Sequence, residues 1–295
     1  MIGLGEVITA MVTPFDREYN INFNSCGKLI EHIIDQGSDG ILLSGTTGEC
    51  PTLSDDEKIK LFKFAKDNFG SRIKIIAGTS SNDTAHSLEL SREAEKQGID
   101  GILLTVPYYN RPSQAGIFKH FSTIAGEVNI PVILYNVPSR TSSNLESRTC
   151  VELSKISNIC GIKEASSNMR QITEIIAGTD EDFIVYSGND GDTLPVLSMG
   201  GYGVISVASH IIGKRIKEMI SSFKKGNFKD AAKMHCDLSD IFYGIFIATN
   251  PVPIKEALNL MGLDVGPCRL PLCPMEDDKS TSFKEILKRH GLIGN

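Results

Sequence analysis

The chain has 295 residues, with 30 Lys+Arg against 36 Asp+Glu for a net charge of −6, and 41% hydrophobic and 22% charged residues. That length suits one barrel or two smaller domains, and the composition is that of a folded chain rather than a disordered one. The acidic balance argues against a nucleic-acid or anionic-membrane partner. No apolar run approaches the roughly 20 residues of a membrane helix, and the N-terminal residues lack the basic and apolar regions of a secretory leader, so a cytoplasmic protein is expected.

Seven cysteines, with no Cys-x-x-Cys among them, read as free thiols of a reducing compartment. The six histidines form no His-x-x-x-His or His-Glu pattern, so neither a metal nor another cofactor is expected.

In chain order, short β-branched apolar runs occur at 6–12, 40–44, 74–78, 101–106, 131–136, 161–164, 183–187 and 203–207. Each has the length of a strand, and several are apolar nearly throughout, as a parallel strand covered on both faces would be. Segments with helical spacing lie between them. The segment 23–36 stacks Leu29, Ile30, Ile33 and Ile34 on one face and stops at Gly37. The segment 54–69 opens with Ser54 three residues before Glu57, a capping-box pattern, and 82–97 opens with Asn82 or Asp83 as cap. Further helices are expected from Ser113, Asn144 and Asn168. Glycines at helix ends account for many of the 27 in the chain.

Eight strand–helix units through about residue 225 predict a closed (β/α)8 TIM barrel over 1–225. The rival, an open doubly wound sheet, lacks its Gly-rich phosphate turn: the first strand runs into Thr13-Pro14-Phe15-Asp16 instead. Residues 226–295 are expected to form an appended C-terminal helical region, helical through Leu260 and again over 282–290, with a Pro-rich break at 267–274.

Barrel enzymes place their chemistry at the C-terminal ends of the strands, where four runs stand out. Gly45-Thr46-Thr47-Gly48-Glu49 follows the second strand; such a turn can hold an anion on successive N–H groups, or simply cap the next helix. Tyr108-Tyr109-Asn110 follows the fourth strand, where paired tyrosines can also serve a core or an interface. Tyr135 ends the fifth strand and, by alternation with Ile133, faces the barrel mouth, where its phenol needs a partner such as Thr46. Arg140, just beyond, can clamp a carboxylate or sit in a surface ion pair.

Lys163, in Gly161-Ile162-Lys163-Glu164-Ala165 of the sixth strand, is the most informative residue. A buried lysine is rare without a purpose. Burial depresses its pKa, and a free amine attacks a ketone to form a Schiff base. The structural alternative is a lysine paired with an internal carboxylate.

Together, Gly-Thr-Thr-Gly-Glu, Tyr-Asn-Val-Pro and Gly-Ile-Lys-Glu-Ala resemble the pyruvate-dependent class I aldolase family that includes dihydrodipicolinate synthase and N-acetylneuraminate lyase. The similarity spans essentially the whole chain. The resemblance implies that Lys163 forms the Schiff base with pyruvate and that Tyr135 donates and accepts protons. It implies that Thr46 links Tyr135 to Tyr109 reaching in from a neighbouring subunit, and that the Thr46-Thr47 turn holds the pyruvate carboxylate. Arg140 would meet the carboxylate of L-aspartate 4-semialdehyde, and Gly188 and Ile205 would line the pyruvate site. Tyr108-Tyr109 and Arg140 favour the synthase branch, in lysine and diaminopimelate biosynthesis, over cleavage of N-acetylneuraminate or a 2-keto-3-deoxy sugar acid. A catalytically silent barrel that binds a keto acid is disfavoured by the intact Lys163, Tyr135, Thr46 and Tyr109. The resemblance also implies a homotetramer built from two dimers.

One departure concerns feedback by lysine. The chain keeps Asn82 and Tyr108 but carries Lys58 and His86 where inhibited relatives tend to have His and Glu, which predicts weak or absent inhibition.

Overall fold

The computed structural model describes residues 3–294. Among them, eight parallel strands close into a barrel in sequence order. These are β1 Val7–Ala10, β2 Gly40–Leu43, β3 Lys74–Gly78, β4 Gly101–Thr105, β5 Val132–Asn136, β6 Ile159–Glu164, β7 Ile184–Ser187 and β8 Gly203–Ser206. Helices connect them on the outside, so the expected (β/α)8 TIM barrel is the observed fold, with helices Ser209–Lys224, Phe228–Gly244, Val252–Leu260 and Asp277–Arg289 following β8.

Neighbouring residues of one strand bury into two different cores. Ile8, Leu42, Ile76, Leu103, Ile133, Tyr186 and Ile205 fill the barrel interior. Val7, Ile41, Ile75, Ile102, Val132 and Val204 pack outward against the helices. Both faces are dry, which is why the strands are apolar almost without alternation.

A bulge aims the sixth strand. Val132 pairs with Ile159, but the next residue, Ile133, pairs with Gly161. The extra residue, Cys160, resets the alternation, so that Lys163 registers with the inward-facing Tyr135 on one side and Tyr186 on the other.

The helix ends follow the capping chemistry in most places. Ser54 and Glu57 form the capping box, and Asp83, Ser113 and Asn168 each accept a backbone N–H at their helix starts. Gly37 and Gly98 stop their helices in the left-handed conformation, at φ 85° and 71°.

Three boundaries differ from expectation. Asn144 does not start a helix, because its amide is spent on Asn136 and Gln171, and the helix begins instead at Ser147. The helical stretch expected through Leu260 is interrupted: one helix ends at Gly244 and the next begins at Val252, with Pro251 at its N-cap. The last helix starts at Asp277 rather than 282, with Asp277 and Asp278 favouring its N-terminal dipole.

Candidate active site

A cavity of about 360 Å³ opens at the C-terminal ends of the strands. Lys163, Tyr135, Thr46, Thr47, Arg140 and Gly188 all line it. Ile205 lies in the packed interior cluster instead, and Tyr109 sits on the loop after β4 with its side chain 90% exposed.

Lys163 is 5% exposed, and its ammonium stands 4.4 Å from the centroid of the Tyr135 ring. Burial lowers its pKa to about 8, with the Asp190 carboxylate opposing the shift and the Arg140 guanidinium adding to it. No carboxylate comes within ion-pair distance of Lys163 among the described residues. The alternative of a lysine locked to an internal partner is therefore not what the geometry offers. Asp190 is instead saturated by other donors: the Ser206 hydroxyl, and the backbone N–H groups of Val207 at 3.0 Å and Ala208 at 3.2 Å.

The Tyr135 phenol is pushed up to about 12 by burial, while Arg140 and the Thr46 side chain beside it pull the other way. A phenol so held is neutral at pH 7 and can pass a proton to a developing anion.

The turn after β2 is contorted. Ser44 and Glu49, its two non-glycine ends, both have left-handed backbones, at φ 53° and 58°. Within it Glu49 N–H donates to the Thr46 carbonyl at 3.1 Å, and the Thr13 hydroxyl donates to the Gly48 carbonyl at 2.7 Å. Opposite, Gly188 must be glycine because a Cβ there would sit 2.6 Å from that of Ala165.

Arg140 lies on the short helix Pro138–Thr141 and is exposed at the rim. It makes no ion pair among the described residues, so the surface-pair alternative is not realised and its guanidinium faces the cavity mouth. Its helix is anchored from behind by β5 and β6. Asn136 donates to the buried Glu164 carboxylate at 3.0 and 3.2 Å and to Asn144 at 2.9 Å, and Gln171 reaches Glu164 at 3.0 Å.

The polar wall residues not singled out from the sequence include Asp190 and Asn250. Asn250 is 5% exposed, donates to the Thr47 hydroxyl at 2.9 Å, and leaves its own Oδ1 without a partner. Its signal was the Asn250-Pro251-Val252-Pro253 run, but nothing local ties that run to a turn 203 residues upstream. Among the described residues no group of three or more His, Cys, Asp or Glu side chains is placed to hold a metal ion, no helix is long and apolar enough to cross a membrane, and all seven cysteines are free.

A family model described as the dihydrodipicolinate synthetase family matches residues 3–290 of the chain. A 4-hydroxy-tetrahydrodipicolinate synthase of Desulforudis audaxviator is 47% identical over 292 residues, covering 99% of each chain. One of Bacillus velezensis is 48% identical over 286 residues, covering 97% of this chain and 99% of the relative. Among solved structures, a dihydrodipicolinate synthase of Bacillus anthracis matches with a TM-score of 0.96 at 44% identity, over 98% of this chain and 99% of that one. The enzyme of Cyanidioschyzon merolae, solved with lysine bound, matches at 0.97 and 42% identity over the same shares.

Proposed function

The chain belongs to the dihydrodipicolinate synthetase family, and from that premise we propose that its cavity joins pyruvate to L-aspartate 4-semialdehyde through a Schiff base on Lys163. The activity is that of a carbon–carbon bond-forming lyase of the class I aldolase type, serving the diaminopimelate route to lysine. The observation that carries the assignment of roles is the buried, depressed amine of Lys163 standing against the Tyr135 ring beneath the Thr46-Thr47 turn.

In this scheme the neutral Lys163 amine adds to the keto carbon of pyruvate and water leaves, giving an iminium. Loss of a methyl proton yields an enamine, whose carbon attacks the aldehyde. The amine of the second substrate then adds to the iminium carbon and displaces Lys163, closing the ring. Tyr135 carries protons to and from these centres. Backbone N–H groups of Thr46 and Thr47 hold the pyruvate carboxylate, Gly188 leaves room for it, Ile205 supports the floor, and Arg140 meets the second carboxylate.

Tyr109 completes the relay from a partner subunit, within a homotetramer of two dimers. The support is an aromatic ring 90% exposed on a loop where Tyr109 and Arg111 both hold left-handed backbones, a costly display unless something covers it. The seven free thiols suit a reducing cytoplasm.

Borohydride added to the protein with pyruvate, followed by mass mapping, tests the scheme: a reduced three-carbon adduct is expected on Lys163, and its absence there sinks the assignment. Turnover is expected with aspartate semialdehyde and not with N-acetylneuraminate.

Feedback by lysine is expected to be weak. Lys58 donates to Asp55 at 3.1 Å, and His86 meets the same carboxylate at 2.6 Å. One acidic group is thus shared by two basic ones, leaving little to attract lysine's ammonium groups. Half-inhibition at sub-millimolar lysine in a steady-state assay would contradict this.

A further inference from the structure

The turn bearing Thr46 and Thr47 is gripped from outside the barrel by a buried ion pair that the chemistry above does not use. Glu49 closes that turn with its side chain 1% exposed, and its Oε1 lies 2.7 Å from Lys255 Nζ, whose side chain is 2% exposed. The other carboxylate oxygen accepts from the backbone N–H of Arg269 at 2.8 Å. Lys255 also donates to the Pro267 carbonyl at 2.8 Å and stands 4.2 Å from the centroid of the Phe15 ring. The Arg269 guanidinium approaches the same ring at 4.4 Å, and bonds the Thr52 carbonyl at 2.6 Å and the Glu57 carboxylate. Asn250, five residues before Lys255, holds the Thr47 hydroxyl. Residues 250–269 therefore secure the turn at Thr47 and at Glu49.

Neither Lys255 nor Glu49 lines the cavity. Both charges pay a desolvation cost that a packed apolar pair would avoid. The left-handed backbone of Glu49 is a further expense, of the kind that persists where surrounding contacts over-determine a geometry. The beneficiary is the backbone between Gly45 and Glu49, whose N–H directions are set by the conformation of its ends.

We infer that Lys255 and Glu49 are positioning residues for the first substrate: the pair holds Glu49 in its left-handed conformation, and thereby aims the Thr46-Thr47 turn at the pyruvate carboxylate. This rests on the assignment of that carboxylate to the turn.

The test compares the full-length protein with the double variant Lys255→Met, Glu49→Gln, which removes both charges and so avoids a lone buried one. The double variant Lys255→Gln, Glu49→Gln, which also removes both charges but keeps a hydrogen-bonding group on each side chain, is the second variant should the first not fold. Circular dichroism and thermal melting establish folding, and steady-state kinetics read the split between substrates. The expected result is a KM for pyruvate raised about tenfold or more, with slower borohydride trapping, while the KM for aspartate semialdehyde stays within about twofold. A folded variant with an unchanged pyruvate KM, or with both KM values raised together, would overturn the inference. Native protein that fails to trap pyruvate on Lys163 overturns the proposed function instead, so the two failures are distinguishable.

Discussion

Replacing Lys163 with methionine is expected to lower kcat by about 10⁴-fold or more and to abolish borohydride trapping of pyruvate, while leaving the melting temperature equal to or above that of the native protein. The two halves of this expectation come from the same geometry. Lys163 is 5% exposed and its pKa falls from 10.5 to about 8, which corresponds to about 3 kcal/mol against the charged form. With no carboxylate in ion-pair reach among the described residues, a methionine of similar length relieves that cost while removing the amine proposed to attack the ketone. The native amine gives the companion result in pH. With a pKa of about 8, about one molecule in ten carries the neutral amine at pH 7, against about one in three thousand at 10.5. The free-amine fraction grows as pH rises through 8, so the rate of trapping is expected to climb between pH 6 and 8 and then level. A trapping rate that is flat across this range, or a methionine variant that still turns over, would remove Lys163 from the role assigned to it.

Tyr135→Phe is expected to lower kcat by about 10² to 10⁴-fold while the Schiff base with pyruvate still forms, only more slowly. Phenylalanine keeps the ring that the Lys163 ammonium faces at 4.4 Å, so the packing of the amine survives. What disappears is the hydroxyl beside Thr46, the group proposed to carry a proton between the iminium and the relay. Separating the two quantities is the point of the experiment: single-turnover trapping reports the nucleophile, and steady-state turnover reports the proton carrier. A variant whose kcat stays within about threefold of native would show that another group moves the protons.

The eight strands were recoverable from the sequence because each is buried on both faces, and near-continuous apolar character survives small errors in boundary. Lys163, Tyr135, Thr46 and Arg140 were recoverable because each sits in a motif at a strand end. Much of what was hidden depends on partners distant along the chain. Asn250 meets Thr47, Lys255 meets Glu49, and Arg269 meets Glu57, each across more than 200 residues. The bulge at Cys160 was hidden for another reason. Its extra residue exists only relative to β5, and no pattern within Ile159–Glu164 announces that Lys163 rather than Ile162 will face inward. Asn144 was misjudged as a helix start because its capping chemistry is genuine but is used on Asn136 and Gln171. Tyr109 stands 90% exposed on the loop after β4, so its proposed role rests on an assembly and not on contacts within one chain.

The packed floor of the barrel has a kinetic meaning. Ile8, Ile76, Leu103, Ile133, Tyr186 and Ile205 pack in the barrel interior below Lys163, so the cavity is closed on that side, with Arg140 on its lining at the rim. In the proposed scheme the three-carbon unit on Lys163 is in place before the aldehyde arrives, and the finished ring departs before the next pyruvate descends. Under the proposed scheme a single product then carries the atoms of both substrates out together, so the closed floor bears on the order of entry, with pyruvate first, rather than on the order of exit.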